Sequence, residues 1–359
     1  MNYKIDYNNQ KPIYLQLYEQ VRRDIIDGVY PYKSKLPSKR VVESELGIST
    51  VTIEHAYGLL QEEGYIESRE RSGYIVIFRS VDGFLHPVDS VREIKVKRTN
   101  RESFPFSVLT KAMRKVINDY GENILKKSEN IGIEELRLAI SGYLARSRGI
   151  HVSPNRIVVG SGAEYLYGMI VSLLGDQFIY GIESPSYEKI EKVYEANHVK
   201  IDRLTLSKNG IDSRELKRTK AKVLHISPYR SFPTGITASA SKRHEYIRWA
   251  SKDKYIVEDD FESEFSVSTK PEETLFSLSK FDNVIYMNTF SRTISPAIRV
   301  GYMVLPEKLV SAFHKKLGIY SCTVPTYEQL LLAELLSSGD FERHINRERR
   351  RMRKELQNR

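Results

Sequence analysis

The stretch NTFSRTISPAIRVGY, Asn288 to Tyr302, follows the apolar run Val284–Met287. An apolar run of that length, closed by Ser, Thr and Pro, reads as a strand buried in a parallel sheet and then a loop. The loop carries Ser291, Arg292, Thr293 and Ser295, and Arg299 stands seven residues beyond Arg292. Small hydroxyls and guanidinium groups at the end of such a strand suit an anion, because guanidinium offers a rigid fork of donors. Outward from this stretch, helical segments alternate with further strand-like runs at Arg156–Val159, Gln177–Ile182, Val199–Leu204, Val223–Ile226, Tyr255–Glu258 and Val300–Leu305. Glu134–Ser147 shows the helical part of the pattern, with Leu136, Ile140, Tyr143 and Leu144 on one face. The alternation predicts an α/β domain with a largely parallel sheet over residues 104–359.

The first 78 residues follow a different pattern. Ile13, Leu17, Val21, Ile25 and Ile26 recur at helical spacing and stop at Gly28. Pro37 and Ser38 open a second short helix that ends near Gly47, and Ser49 caps a third from Thr50 to about Glu63. Two strand-like pieces, Tyr65–Ser68 and Tyr74–Phe78, are joined by RERSG. Helix, helix–turn–helix and hairpin in that order predict a winged helix over 1–78. The second helix of such a turn enters the major groove, which places Ser49, Thr50 and Thr52 near base edges. Lys39 and Arg40 are placed for phosphates, and Arg69, Arg71 and Gly73 sit on the wing. The same architecture also serves protein contacts, so the pattern alone leaves that use open.

Size and charge set the outer bounds. A chain of 359 residues exceeds the roughly 250–300 residues at which single cores stop growing, so two domains are expected, joined by a linker over 79–103 that mixes Gly, Pro and charge. The net charge of +10 does not locate the DNA-binding part. Residues 1–78 hold ten Lys/Arg against eleven Asp/Glu, whereas residues 341–359 hold eight against three. No run approaches 18 apolar residues and the start has no apolar leader, so neither a membrane span nor a secretory signal is expected. The single cysteine, Cys322, cannot form an internal disulfide, which fits a cytoplasmic setting and a packing role.

The central stretch closely resembles the lysine segment of fold-type-I pyridoxal-phosphate proteins, in the form found in MocR-type regulators. That segment reads approximately TFSKTLSPxLRxGY. PIYLQL, LPSKR, LGIS and EEGYIESRERSGYIV likewise resemble the GntR winged helix. The resemblance implies an α/β, multi-domain chain: a winged helix–turn–helix followed by an aminotransferase-like large domain, with the family's small C-terminal subdomain missing. It implies a DNA-binding transcriptional regulator whose second domain dimerises and senses a small amine or amino acid through pyridoxal phosphate. Where the GntR pattern often has Arg after the capping Ser, this chain has Thr50, which should alter sequence preference by ~1–3 kcal/mol per lost bidentate contact.

For the cofactor, the turn GSGAEYLYGMI offers the amides of Gly162, Ala163 and Glu164 with Ser161 at the cap, and the resemblance makes this a phosphate cradle. It places Tyr187 over the pyridine ring, Ser291 and Arg299 at the phosphate, and Asp259 at the ring nitrogen. Glu258, Asp260 and Glu262 are explained equally well as an acidic strand end capping a helix. Two departures matter. Phe261 stands where the family has a Tyr that bonds the ring hydroxyl, and Arg292 stands where it has the Schiff-base lysine. A guanidinium stays charged and cannot replace a neutral primary amine. Lys280 lies before the strand and is a poor substitute. No catalytic residue is therefore expected, and any pyridoxal phosphate would be held non-covalently. An active aminotransferase and a truncated remnant without ligand sensing are the alternatives.

Overall fold

The structure, a computed structural model, describes residues 3–7, 9, 11–70, 72–79, 104–250, 253–260, 263–265 and 272–357. It forms two compact units that divide between residues 99 and 100. The expected linker, apart from residue 79, lies outside the described residues, as do Arg71, Phe261 and Glu262.

The first unit contains helices α1 (Ile13–Ile26), α2 (Lys39–Leu46) and α3 (Thr50–Glu62), then an antiparallel hairpin of β1 (Ile66–Arg69) and β2 (Gly73–Val76). Its boundaries follow from local chemistry. The Ser38 side chain caps α2, which ends at Gly47 with φ of 66°, a left-handed conformation that suits glycine. Ser49 caps α3. Leu17, Val21 and Ile25 of α1 pack with Ile53, Ala56, Tyr57 and Leu60 of α3, so one face of each helix makes the core. The Tyr57 hydroxyl donates to the Pro37 carbonyl at 2.9 Å, tying the start of the turn to the recognition helix. Both strands begin or end within two residues of their expected positions, and the residues before α2 extend the hairpin through a bridge from Lys35 to Ile75. This unit is a winged helix–turn–helix.

The second unit begins with α4 (Phe106–Tyr120) and α5 (Glu134–Arg148), followed by β3 (Ile157–Gly160), α6 (Ala163–Leu174), β4 (Ile179–Ser184) and α7 (Glu188–Ala196). It continues through β5 (Lys200–Ser207), β6 (Gly210–Ile211), α8 (Ser213–Arg218), β7 (Val223–Ile226), α9 (Ala240–Trp249) and β8 (Tyr255–Asp259). Last come α10 (Leu275–Leu278), β9 (Val284–Thr289), β10 (Gly301–Val304), α11 (Glu307–Leu317), α12 (Thr326–Ser337) and α13 (Asp340–Gln357). The eight strands form one sheet in the order β3-β10-β9-β8-β7-β4-β5-β6. Neighbours from β9 to β5 are parallel; β9, β8, β7 and β4 are mostly buried, as strands covered on both faces are, whereas β5 buries only Leu204. Strand β10 runs antiparallel to both β3 and β9. It follows that β3 points the same way as β9, so the carboxyl ends of β3, β4, β7, β8 and β9 share one edge. The two-residue β6 was not legible in the sequence, being too short to show a period. Among the described residues no helix is long and apolar enough to cross a membrane.

Candidate functional site

At that shared edge lies a cavity of about 320 Å³, near the lower end of the ~300–1,000 Å³ typical of small-molecule sites. Ala163 and Glu164 enter it from the first turn of α6, and Tyr187 and Lys189 from the start of α7. Ser227 and Phe232 come from the loop after β7, and Asp259 from the end of β8. Asn288 and Thr289 of β9, with Ser291, Arg292 and Arg299 of the following loop, close the remaining side. Strand ends therefore gather residues spread over more than a hundred positions, which is where open α/β sheets place ligands.

Asp259 is held from behind. The Tyr167 hydroxyl donates to its Oδ2 at 2.6 Å, and His225 Nε2 lies 3.6 Å from the same oxygen. His225 is positioned in turn by the Tyr194 hydroxyl, 2.6 Å from its Nδ1. Burial first, and then the Asp259 charge, push the Tyr167 phenol well above its ordinary pKa, so it remains a donor. Tyr167 was missed in the sequence, although it lies one turn beyond Ala163 and so on the same helix face. Tyr187 presents its ring to the cavity and meets Phe232 edge-on, with centroids 5.9 Å apart at 84°.

The anion end is built differently from expectation. Ser161 does not cap α6: the N-cap is Gly162, with no side-chain cap bond, and neither residue lines the cavity. The Ser161 amide donates instead to Thr323 Oγ1 at 3.2 Å. Gly162 has φ of 90°, and a Cβ there would lie 3.1 Å from Arg299 Nη2, so glycine lets the guanidinium sit against the turn. Arg299 and Lys189 both bond the Glu164 carboxylate. Burial raises the Glu164 pKa, but these two cations outweigh it and hold the group below its ordinary value. Ser291 lines the cavity, yet its hydroxyl donates to the Ile298 carbonyl at 3.0 Å, so its proton is already committed. Arg292 also lines the cavity, whereas Lys280 precedes β9 at the opposite end of that strand.

Behind this site sits a buried acidic cluster. Glu258 accepts from the amides of Leu275 and Phe276, both at 2.8 Å, and so caps α10 as the acidic strand end suggested. Asp260 departs from that reading: fully buried, it pairs with Arg148 Nε at 2.9 Å and accepts from the Tyr286 hydroxyl. Glu264 accepts from Asn288 at 2.7 Å, and Glu183 from Ser231 Oγ at 2.6 Å. Burial pushes Glu183 and Glu258 up to about 7, and moves Glu264 upward as well. The folded chain then keeps protons between about pH 4.5 and 7 that the unfolded chain releases, so stability falls as pH rises through that window. His344, lowered by burial and by Arg347, opposes this by favouring the fold as pH rises. Three carboxylates outweigh one imidazole. Urea unfolding is expected to show a net loss of stability from pH 5 to pH 8, up to about 2–3 kcal/mol for each of the three carboxylates; a rise over that range would show the carboxylates to be ionised throughout.

In the winged helix, Ser49 Oγ accepts from the Thr52 amide at 3.2 Å and lies 2.9 Å from Thr52 Oγ1, so these two hydroxyls are engaged with each other. Thr50 is half-buried and Arg40 exposed. Lys39 Nζ pairs with Glu54 of α3 at 2.5 Å. Arg69 pairs with Glu67 on its own strand, and Gly73, with φ of 85°, allows the wing to turn. Val51, one of the apolar residues that the sequence places on the third helix, is 60% exposed at the start of α3 and does not join Ile53, Ala56, Tyr57 and Leu60 in the core.

Comparison with known proteins adds to this geometry. Residues 98–359 match the family model for aminotransferase class I and II, and residues 13–76 that for bacterial regulatory proteins of the gntR family. The chain is 31% identical over 357 residues to the uncharacterized HTH-type transcriptional regulator YdeL of Bacillus subtilis (strain 168), covering 96% of this chain and 77% of that protein. It is 26% identical to the probable rhizopine catabolism regulatory protein MocR of Rhizobium meliloti, over 96% of this chain and 76% of that one. The crystal structure of an archaeal alanine:glyoxylate aminotransferase superposes with a TM-score of 0.61 at 24% identity, covering 67% of this chain and 62%, under two thirds, of that chain. That likeness is one of fold.

A DNA-binding winged helix joined to an aminotransferase-like domain defines a one-chain transcriptional regulator rather than a free-standing transaminase. This chain belongs to the MocR-type family of transcriptional regulators, which carry a GntR helix–turn–helix and an aminotransferase class I/II domain.

Proposed function

We propose that this regulator reads duplex DNA with α3 and its wing, and that its second domain holds pyridoxal phosphate without a covalent bond and without catalysing transamination. The observation that carries this reading is Arg292 lining the cavity that also contains Asp259, Tyr187 and Arg299. The residues fit such a ligand. Asp259, fixed by Tyr167, would keep a pyridine nitrogen protonated, Tyr187 would cover one ring face, and Arg299 would meet the phosphate. When bound, the cofactor supplies an aldehyde that reacts with amines, so a small amine or amino acid is the effector class and the chain itself offers no lysine at position 292. Homodimerisation accompanies this reading, since fold-type-I sites form between subunits.

On the DNA side, Arg40 and Lys39 contact phosphates, Ser49, Thr50 and Thr52 face the groove, Arg69 and Gly73 belong to the wing, and Arg71 is assigned to the same DNA contact from its place in the sequence. Because Ser49 and Thr52 bond each other and Lys39 bonds Glu54, these groups rearrange on binding rather than waiting free. The first experiment is an absorption titration of the protein with pyridoxal phosphate, followed by borohydride reduction and mass analysis. Saturable binding with no mass gain after reduction supports the proposal. A reducible adduct on Lys189, the one lysine lining the cavity among the described residues, would overturn it.

A further inference from the structure

The cavity already contains an anion. Glu164, Lys189 and Arg299 come from α6, α7 and the loop after β9, and the carboxylate of Glu164 bonds both cations at once. Its position on the helix does not require this: a carboxylate in the first turn of α6 is favourable simply by facing the helix N-terminus. Here it reaches sideways across the cavity wall, and Gly162, which has no side chain, leaves the room in which Arg299 lies against the turn.

We propose that Glu164 is an internal stand-in for phosphate: its carboxylate occupies the anion end of the cavity, and a phosphorylated ligand binds by displacing it from Lys189 and Arg299. The inference rests on the reading of this cavity as a site for a phosphorylated pyridine, and it names the residue that sets how strongly the phosphate counts. With Glu164 in place the two cations carry a net charge of one; without its charge they carry two. A phosphate offers three acceptor oxygens and close to two charges, so it outcompetes a single carboxylate, but it first has to separate Glu164 from its partners. The pairs are suited to exchange. Glu164, Arg299 and Lys189 side chains are 29%, 49% and 52% exposed, and ion pairs open to water to this degree are weakly held. Released from Glu164, Lys189 and Arg299 can close on the phosphate as a pair of charge-assisted donors, while Glu164 can turn to solvent.

The test compares the full-length wild type with Glu164→Gln and Glu164→Asp, titrated separately with pyridoxal phosphate, pyridoxal and inorganic phosphate. Glu164→Gln is expected to bind pyridoxal phosphate and inorganic phosphate about tenfold more tightly (~1.4 kcal/mol), with pyridoxal unchanged. Glu164→Asp, which keeps the charge, is expected to stay near wild type, and its thermal melt alongside that of Glu164→Gln controls for folding. Equal or weaker phosphate binding by Glu164→Gln would overturn the proposal, because Glu164 would then be holding the two cations in place for the ligand. An equal gain for pyridoxal would overturn it too, since the effect would not run through the phosphate. If neither pyridoxal compound binds any form but inorganic phosphate binds Glu164→Gln more tightly, the cofactor reading fails and the role of Glu164 stands. Absence of binding of both pyridoxal phosphate and inorganic phosphate by every form removes both.

Discussion

Replacing Arg292 by lysine is expected to convert a chain that borohydride leaves unmodified into one carrying pyridoxal phosphate at residue 292. The change is close to all-or-none. A guanidinium remains protonated at any accessible pH and has no lone pair to offer a carbonyl, whereas a lysine amine lowered by its surroundings does. On the proposed reading the rest of the cavity serves the ligand through Asp259 with its Tyr167 donor, the Tyr187 face and, once Glu164 has left it, Arg299. Lys189 is the lysine that could confuse the result. Its hydrogen bond to Glu164, and then the charge of that carboxylate, raise its pKa, so it stays protonated and a poor nucleophile. Peptide mapping after reduction distinguishes the two positions. An unmodified Arg292→Lys protein at saturating pyridoxal phosphate would mean that position 292 does not reach the aldehyde.

Removing the charge of Arg148 is expected to cost the second unit about 3–5 kcal/mol, because it strands buried carboxylates without their cation. Arg148 is 9% exposed and Asp260 fully buried, and their 2.9 Å pair lies among Glu258, Glu264 and Tyr286. Its guanidinium also stacks over the Tyr229 ring at 4.7 Å. Urea unfolding of Arg148→Leu should show the loss directly, and the double variant with Asp260→Asn should recover part of it, since the uncompensated charge is then gone. A loss below about 1 kcal/mol in the single variant would show that the cluster is protonated and has little need of Arg148.

Much of this architecture was legible because it is written locally. Ser38, Gly47 and Ser49 mark helix ends through bonds to residues three or four positions away, and the alternation of strand runs with helices needs no knowledge of distant partners. The candidate site was legible in part for the same reason: Ala163, Glu164, Tyr187 and Ser291 lie just beyond strand ends, Asp259 closes β8, Arg299 stands just before β10, and all six reach the cavity. Ser161 did not follow, because the backbone turn at Gly162 supplies the helix start by itself. Asp260 did not follow either. It comes directly after Asp259, the last residue of β8, but its carboxylate turns to a different partner, Arg148, which is 112 positions away.

The sequence by itself determined the two-domain order, the winged helix, the α/β character of the second domain and the presence of arginine at position 292. Those features depend on short-range periodicity, capping and residue identity. Only the tertiary structure decided that β10 runs against both neighbours and so brings β3 alongside β9. It alone brought Glu164 to Lys189 and Arg299, and Arg148 to Asp260. The physical reason is common to both. A side chain's charge is fixed by its identity, but the partner that balances it is chosen by how helices and strands far apart in the chain pack together.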